Sequence, residues 1–191
     1  MRDLFNRGMM DLLNFTGKGL YDKLTIIPAT EFHAGELQHK LRSTDLRECM
    51  IGGSTPWRAL HLPLSIKKAE TFSVLSPSDE TICMFGTVPV SNKDGIKTGS
   101  IWLLGSYELD KYSKTWLRLT ESVFDYFQNT YDVLENVVPV DHKKTIRWLK
   151  YAKCMFAQQE TLINGFPCVR FVRCAPHLIM SFQNDEWPIS N

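Results

Sequence analysis

Asp45 and Glu48 stand three residues apart, so a single helical turn would put both carboxylates on one face. Paired acids at that spacing suit proton transfer or a cation, although Arg42 and Arg47 lie close enough to neutralise them as plain ion pairs. Cys49 follows Glu48 directly, and His142 could serve it as a base, the two-residue core of a thiol nucleophile. Spacing alone does not bring them together, and a buried structural cysteine is the plainer reading. Lys143, Arg147 and Lys150 recur at i, i+4 and i+7, with Lys144 adjacent and Trp148 and Tyr151 flanking. That stripe could meet phosphates, including those of DNA. A solvated helix face is the commoner use of such a pattern. Asn136 interrupts the apolar run from Val133 to Val140, an unusual place for an amide: near a strand edge it would contact a ligand or satisfy backbone. Phe5, Met9, Leu12 and Leu13 draw one apolar stripe near the N-terminus, followed by Gly17 and Gly19 as a break. Such a short helix is marginal alone in water, so it packs on its own domain or docks as an arm into a partner's groove.

These groups need a body to position them. The chain has 191 residues, 43% hydrophobic and 23% charged, which is the composition of a globular domain. Its 22 Lys+Arg against 21 Asp+Glu leave a net charge of +1, so no global field drives it onto nucleic acid or anionic lipid. No run of about 18 apolar residues occurs, which argues against a membrane span. The five cysteines are odd in number and lack zinc-ligand spacing, so reduced thiols in a reducing cytoplasm are expected.

From Leu24 onward, strand and helix signals alternate. A strand over 24–28 gives way to a helix capped by Thr30 and reaching about Leu41, then to a polar helical turn around Asp45. Thr55 caps a further helix that Pro63 should kink or end. Strands follow over 72–75, 81–88 and 100–104, with turns at 76–80 and 92–95. Trp116, Leu119, Val123, Tyr126 and Phe127 mark the clearest amphipathic helix, with Ser113 as its cap. A strand over 133–140, a helix capped by Asp141, and a hairpin turning at Asn164-Gly165 complete the pattern. The expected organisation is an amphipathic arm (1–23), a mixed α/β domain (24–174) and an irregular tail (175–191).

That order of elements resembles the Gcn5-related N-acetyltransferase (GNAT) fold: a mixed, mainly antiparallel central sheet with helices on both faces. More narrowly, the chain resembles the GNAT-like internal virion proteins of podophages. The likeness rests on Ile27-Pro-Ala-Thr30, Asp45-x-x-Glu48-Cys49, Gly99-x-x-Trp102 and the stretch Val137–Leu149 with His142, and it spans about residues 24–174.

Within that resemblance, two positions bear on activity. The loop that should cradle a coenzyme A pyrophosphate, Gly105 to Lys114, has no later glycine and carries Glu108 and Asp110. The tyrosine that would protonate the departing thiolate is replaced by Leu149, and Lys153 takes the place of a glycine, with Tyr151 about 200° round the helix. These departures imply a non-catalytic virion or morphogenesis protein without a cofactor. In that reading Asp45, Glu48, Trp102, Asn136 and His142 are the remnant of a ligand site, and Trp102 and Trp116 mainly fill the core. The partners would be portal, tail or ejection proteins, with packaged DNA touched by Lys143, Arg147 and Lys150. The protein would then pass from host cytoplasm to virion. The alternative is an acetyl-CoA-dependent N-acetyltransferase with an altered donor site; a DNA-associated factor is the weaker third.

Overall fold

In the computed structural model the described residues are 24–179; the stripe Phe5, Met9, Leu12 and Leu13 and most of the tail fall outside them. The strands are β1 (Thr25–Pro28), β2 (Glu70–Leu75), β3 (Thr81–Lys93), β4 (Ile96–Gly105), β5 (Val133–Pro139), β6 (Met155–Ile163) and β7 (Phe166–Cys174). The helices are α1 (Glu31–Leu37), α2 (Ser43–Ile51), α3 (Pro56–Ser65), the single turn α4 (Glu108–Lys111), α5 (Ser113–Gln128), α6 (Lys143–Tyr151) and the short α7 (Pro176–Ile179). The strands form one sheet in the order β1-β2-β3-β4-β5-β7-β6. All its neighbours are antiparallel except β4 and β5, which run parallel. This is the expected mixed, mainly antiparallel sheet with helices on both faces.

Strand alternation divides the core into two layers. On one face Phe72, Phe85, Ile101, Leu134 and Val138 meet Trp116, Leu119, Val123 and Phe127 of α5 and Leu149 of α6. On the other, Met84 and Leu104 meet Ala34 and Leu37 of α1, Cys49 of α2 and Leu60 of α3. The helical stripe read from the sequence is buried throughout: Trp116, Leu119, Val123, Tyr126 and Phe127 all belong to the core.

Several boundaries differ from expectation, each for a local reason. The first helix stops at Leu37 because Leu41 is drawn into a bridge with Ser106. Thr55 caps α3 by accepting from the Arg58 N–H at 3.2 Å, but Pro63 is accommodated, and the helix runs to Ser65. So near the C-terminal end, the missing donor disturbs little. Strands β3 and β4 extend well past 88 and before 100, joined through Asp94 (φ 54°) and Gly95 (φ 82°). Two left-handed residues match the twist of a tight hairpin, and Asn164 (φ 48°) with Gly165 (φ 81°) do the same between β6 and β7. Ser113 opens α5 rather than capping it, and His142, not Asp141, is the N-cap residue of α6. After β7 the chain makes one helical turn where irregular tail was expected, with Leu178 packed against Val133, Val172 and Cys174. No helix among the described residues is long and apolar enough to cross a membrane.

Phe127 is fully buried between Phe72, Phe85 and Tyr126. Phe127→Ala should therefore cost about 3–5 kcal/mol, a large part of a domain's usual 5–15 kcal/mol. A urea titration reads this directly; a midpoint unchanged from wild type would mean that α5 packs in a different register.

Candidate functional site

Parallel strands β4 and β5 pair only at Thr98↔Val133, Gly99↔Leu134 and Ser100↔Glu135, and then diverge. Divergence strands the β4 backbone groups that face β5, which by alternation belong to Ile101, Leu103 and Gly105. Buried backbone polar groups need partners, and two of the three residues find them in other parts of the chain. The Asn136 side-chain amide donates to the Ile101 carbonyl at 2.7 Å, while its oxygen accepts from the Val137 N–H at 2.8 Å. The Gly105 N–H donates to Asp45 Oδ1 at 2.9 Å, and its carbonyl accepts from the Arg42 N–H at 3.0 Å. The Leu103 N–H and C=O are left facing the gap, with no β5 residue in register.

The gap opens into a cleft of about 1170 Å³ bounded by β4, β5, α2, α5 and α6. At its α2 wall, Asp45 is almost wholly buried and accepts from Arg42 Nε at 2.7 Å, Arg42 Nη2 at 3.0 Å and Thr44 Oγ1 at 3.0 Å besides the Gly105 amide. A carboxylate so saturated has no free lone pair for catalysis. It holds α2 against the end of β4. Burial opposes the Arg42 charge, but Asp45 and then Asp110 outweigh it and raise the guanidinium above its ordinary range.

Glu48, one turn further along α2, points to a different partner. His142 Nδ1 lies 2.5 Å from Glu48 Oε1, and Thr145 Oγ1 is 3.2 Å from each imidazole nitrogen. A carboxylate can only accept, so Nδ1 is the donor and Nε2 carries the lone pair in the neutral ring. That is the arrangement of an oriented base. The pairing of Glu48 with His142 removes the thiol nucleophile from consideration. Cys49 is buried, and burial first, then the Asp45 and Glu48 carboxylates, push its thiol up to about 11. Cys168, at the same cleft, is also raised by burial.

Asp141, displaced from the cap, pairs with Arg47 at 2.9 Å. Lys143 and Arg147 lie on the rim of the cleft and are exposed, whereas Lys150 is exposed away from it, so the basic stripe is divided. Trp102 is only partly buried and lines the cleft, while Trp116 is core. The acids of the Gly105–Lys114 loop are compensated locally. Asp110 bridges Arg42 Nη1 at 3.2 Å and Lys144 Nζ at 2.7 Å, and Glu108 pairs with Lys111 at 2.7 Å. Burial works against the Asp110 charge, but Lys144 and Arg42 together hold its carboxyl below the usual range. Lys114, also at the cleft, has no ion pair among the described residues. Leu149 sits buried on the inner side of α6, and Lys153 takes a left-handed φ of 61°, as a residue in a glycine position must. Tyr151 is half-exposed and reaches the lip of the cleft, where the helix spacing had turned it away. No group of three or more metal-ligating side chains occurs among the described residues.

No family model matches the sequence, and no curated protein does. The fold does find counterparts. It is similar to NAA60 from Arabidopsis thaliana, solved with a bisubstrate analogue, at TM-score 0.61 and 16% identity over 79% of this chain and 97% of that one. It is similar to a Gcn5-related N-acetyltransferase from Kribbella flavida at TM-score 0.61 and 10% identity, covering 80% and 98%. The aminoglycoside acetyltransferase AAC(6')-Ib in complex with coenzyme A matches at TM-score 0.59 and 14% identity, covering 83% and 98%. At these identities the likeness establishes the GNAT fold. It also corrects the expectation of a non-catalytic virion module: the neighbours are acetyltransferases, one solved with coenzyme A and with acetyl-CoA. The narrower resemblance to phage internal virion proteins, with its assembly and ejection roles, finds no support, and neither does the expected lack of a cofactor.

Two measurements check this geometry. Asp45→Ala strips the part-buried Arg42 guanidinium of both Asp45 contacts, leaving it Asp110 alone, and leaves the Gly105 amide unpaired; it should cost about 3–5 kcal/mol in a denaturant titration. Native protein should react slowly with a thiol reagent at pH 8, and all five cysteines should react once it is unfolded. Rapid titration of Cys49 in the native state would mean that α2 does not pack as described.

Proposed function

We infer that the protein transfers an acyl group from a coenzyme A thioester to an amine. The observation that carries this reading is the unpaired Leu103 backbone in a propped-open cleft, with the Glu48–His142 pair on its wall. An extended amide chain laid along β4 would donate to the stranded Leu103 carbonyl, as an added strand does, and leave the Leu103 N–H free for the thioester oxygen. Pantetheine is such a chain. Lys114 and the first turn of α5 would face the diphosphate end, where a helix N-terminus favours negative charge. The loop lacks the glycine-rich cradle, so side-chain cations carry more of that contact.

His142 Nε2 is the proton acceptor for the incoming ammonium, with Glu48 holding the ring and stabilising the imidazolium that forms. The freed amine attacks the thioester carbonyl carbon, the Leu103 N–H donates to the developing oxyanion, and as the C–S bond breaks to release the thiolate the nitrogen gives up its second proton to water in the open cleft. Leu149 supplies no acid to that sulfur. A thiol titrates near 8.5, so its anion leaves without obligatory protonation, and the missing hydroxyl costs rate rather than the reaction.

Calorimetry with acetyl-CoA, followed by thiol release with a panel of primary amines, tests the reading. A one-site isotherm in the micromolar range and amine-dependent thiol release are expected. His142→Asn should lower kcat by about 10²–10⁴-fold, with the loss falling on kcat rather than on donor affinity. Protein that binds neither coenzyme A nor acetyl-CoA would sink it.

A further inference from the structure

The carboxylates of the cleft are unevenly committed. Among the described residues Asp45, Glu48, Asp110 and Asp141 line it. Asp45 and Asp110 face Arg42 and Lys144, and Asp141 faces Arg47. Of the four, only Glu48 has an imidazole rather than a fixed cation for its partner, and its side chain is 29% exposed. The wall at the base thus offers one negative charge.

Strand alternation shows what surrounds that charge. Leu134 and Val138 face α5 and α6, so Val137 faces the other side of the sheet, where α2 and α3 lie. Trp102 of β4 and Ala59 of α3 are on that side too, packed against the cluster that holds Cys49 of α2. Ile163 adds a wall from the β6–β7 hairpin, whose Asn164 amide donates to the Ile51 carbonyl at 2.7 Å and ties the turn to the end of α2. Val137 is 39% exposed, and Trp102, Ala59 and Ile163 are half-buried, so all four present surface at the cleft. A second ammonium set against them would shed water and meet no carboxylate. A ring or alkyl body gains by the same contact.

We propose that the acceptor is a monoamine: one ammonium on an uncharged apolar body, its nitrogen at the Glu48–His142 pair and its body against Trp102, Val137, Ala59 and Ile163. The inference rests on the acyltransferase reading and names the acceptor class of that site.

Calorimetry with 2-phenylethylamine, spermidine and kanamycin, each with and without saturating coenzyme A, is the test. At physiological ionic strength 2-phenylethylamine should bind roughly tenfold more tightly than either polycation, or better. Glu48→Gln should weaken its binding by about tenfold or more. Val137→Glu, checked for a cooperative melting transition, puts a second carboxylate at the most exposed of the four positions and should raise spermidine affinity several-fold. If that variant fails to fold, Ala59→Asp takes its place with the same expectation. A polycation that binds the wild type as tightly as 2-phenylethylamine, or the absence of binding by any of the three, overturns the monoamine acceptor. Spermidine affinity unmoved by a folded variant overturns it as well. Coenzyme A failing to bind while 2-phenylethylamine still does overturns the acyltransferase reading and leaves the amine site standing.

Discussion

Two adjacent parallel strands that stop pairing after three residues create a debt of unpaired backbone, and the site is organised by how that debt is settled. At Ile101 the partner is an amide side chain from the neighbouring strand; at Gly105 it is a buried carboxylate and a backbone N–H from α2. Each settlement fixes a boundary of the cleft. Asn136 props the crotch so that β4 and β5 cannot zip together, and Asp45 clamps the far end of β4 to a helix from the opposite face. Leu103, midway, is the one cleft-facing residue of the three whose backbone no residue of β5 completes, nor any other among the described residues. The opening is thus a consequence of satisfied hydrogen bonds around it, not of loose packing.

The same clamp resolves the electrostatics of the mouth. Read as a sequence, Glu108 and Asp110 place negative charge beside the loop that would face a diphosphate. In the fold, Arg42 joins both Asp45 and Asp110, and Lys144 completes the cluster from α6. Charges that close are neutralised mainly by one another, and little of their field extends past a Debye length of about 10 Å. What remains outward at the rim is cationic, from Lys114, Lys143 and Arg147.

How much of this was legible depended on the range of the interaction. The α5 stripe and the Asn164-Gly165 turn were readable because helix period and left-handed turn chemistry are local rules. Lys153 was matched to a glycine position, and its φ of 61° agrees. Asn136 was singled out as an oddity within an apolar strand, and its backbone-satisfying role is the one the structure gives it. Asp45, Glu48 and His142 were all named, yet their division of labour was not visible. Asp45 and Glu48 share a helix but face different partners, Gly105 sixty residues on and His142 ninety-four residues on. No spacing rule reaches that far: the sequence offers Cys49 as a partner for His142, with a buried structural thiol as the plainer reading, and gives no sign of the Glu48–His142 pair. The non-catalytic reading treated two missing motif positions as the loss of the site, although neither position holds the cleft open.

The cleft and the core share side chains. Phe124, Val138, Leu149 and Phe171 belong to the main hydrophobic cluster and also line the cavity. A ligand's apolar segment placed against them extends the core rather than filling a separate pocket, so its binding free energy adds to the stability of the folded state. At a hundredfold excess over Kd that linkage amounts to about 2.7 kcal/mol, comparable to a well-buried side chain. It also sets a limit on how the site can change. Widening the cavity at Leu149 removes packing from α6, the helix whose N-terminus holds His142 against Glu48. The placement of His142 and the packing of the cleft wall are therefore coupled through one nine-residue helix. An apolar residue at its inner face keeps that helix packed on the sheet, and with it the placement of His142 against Glu48.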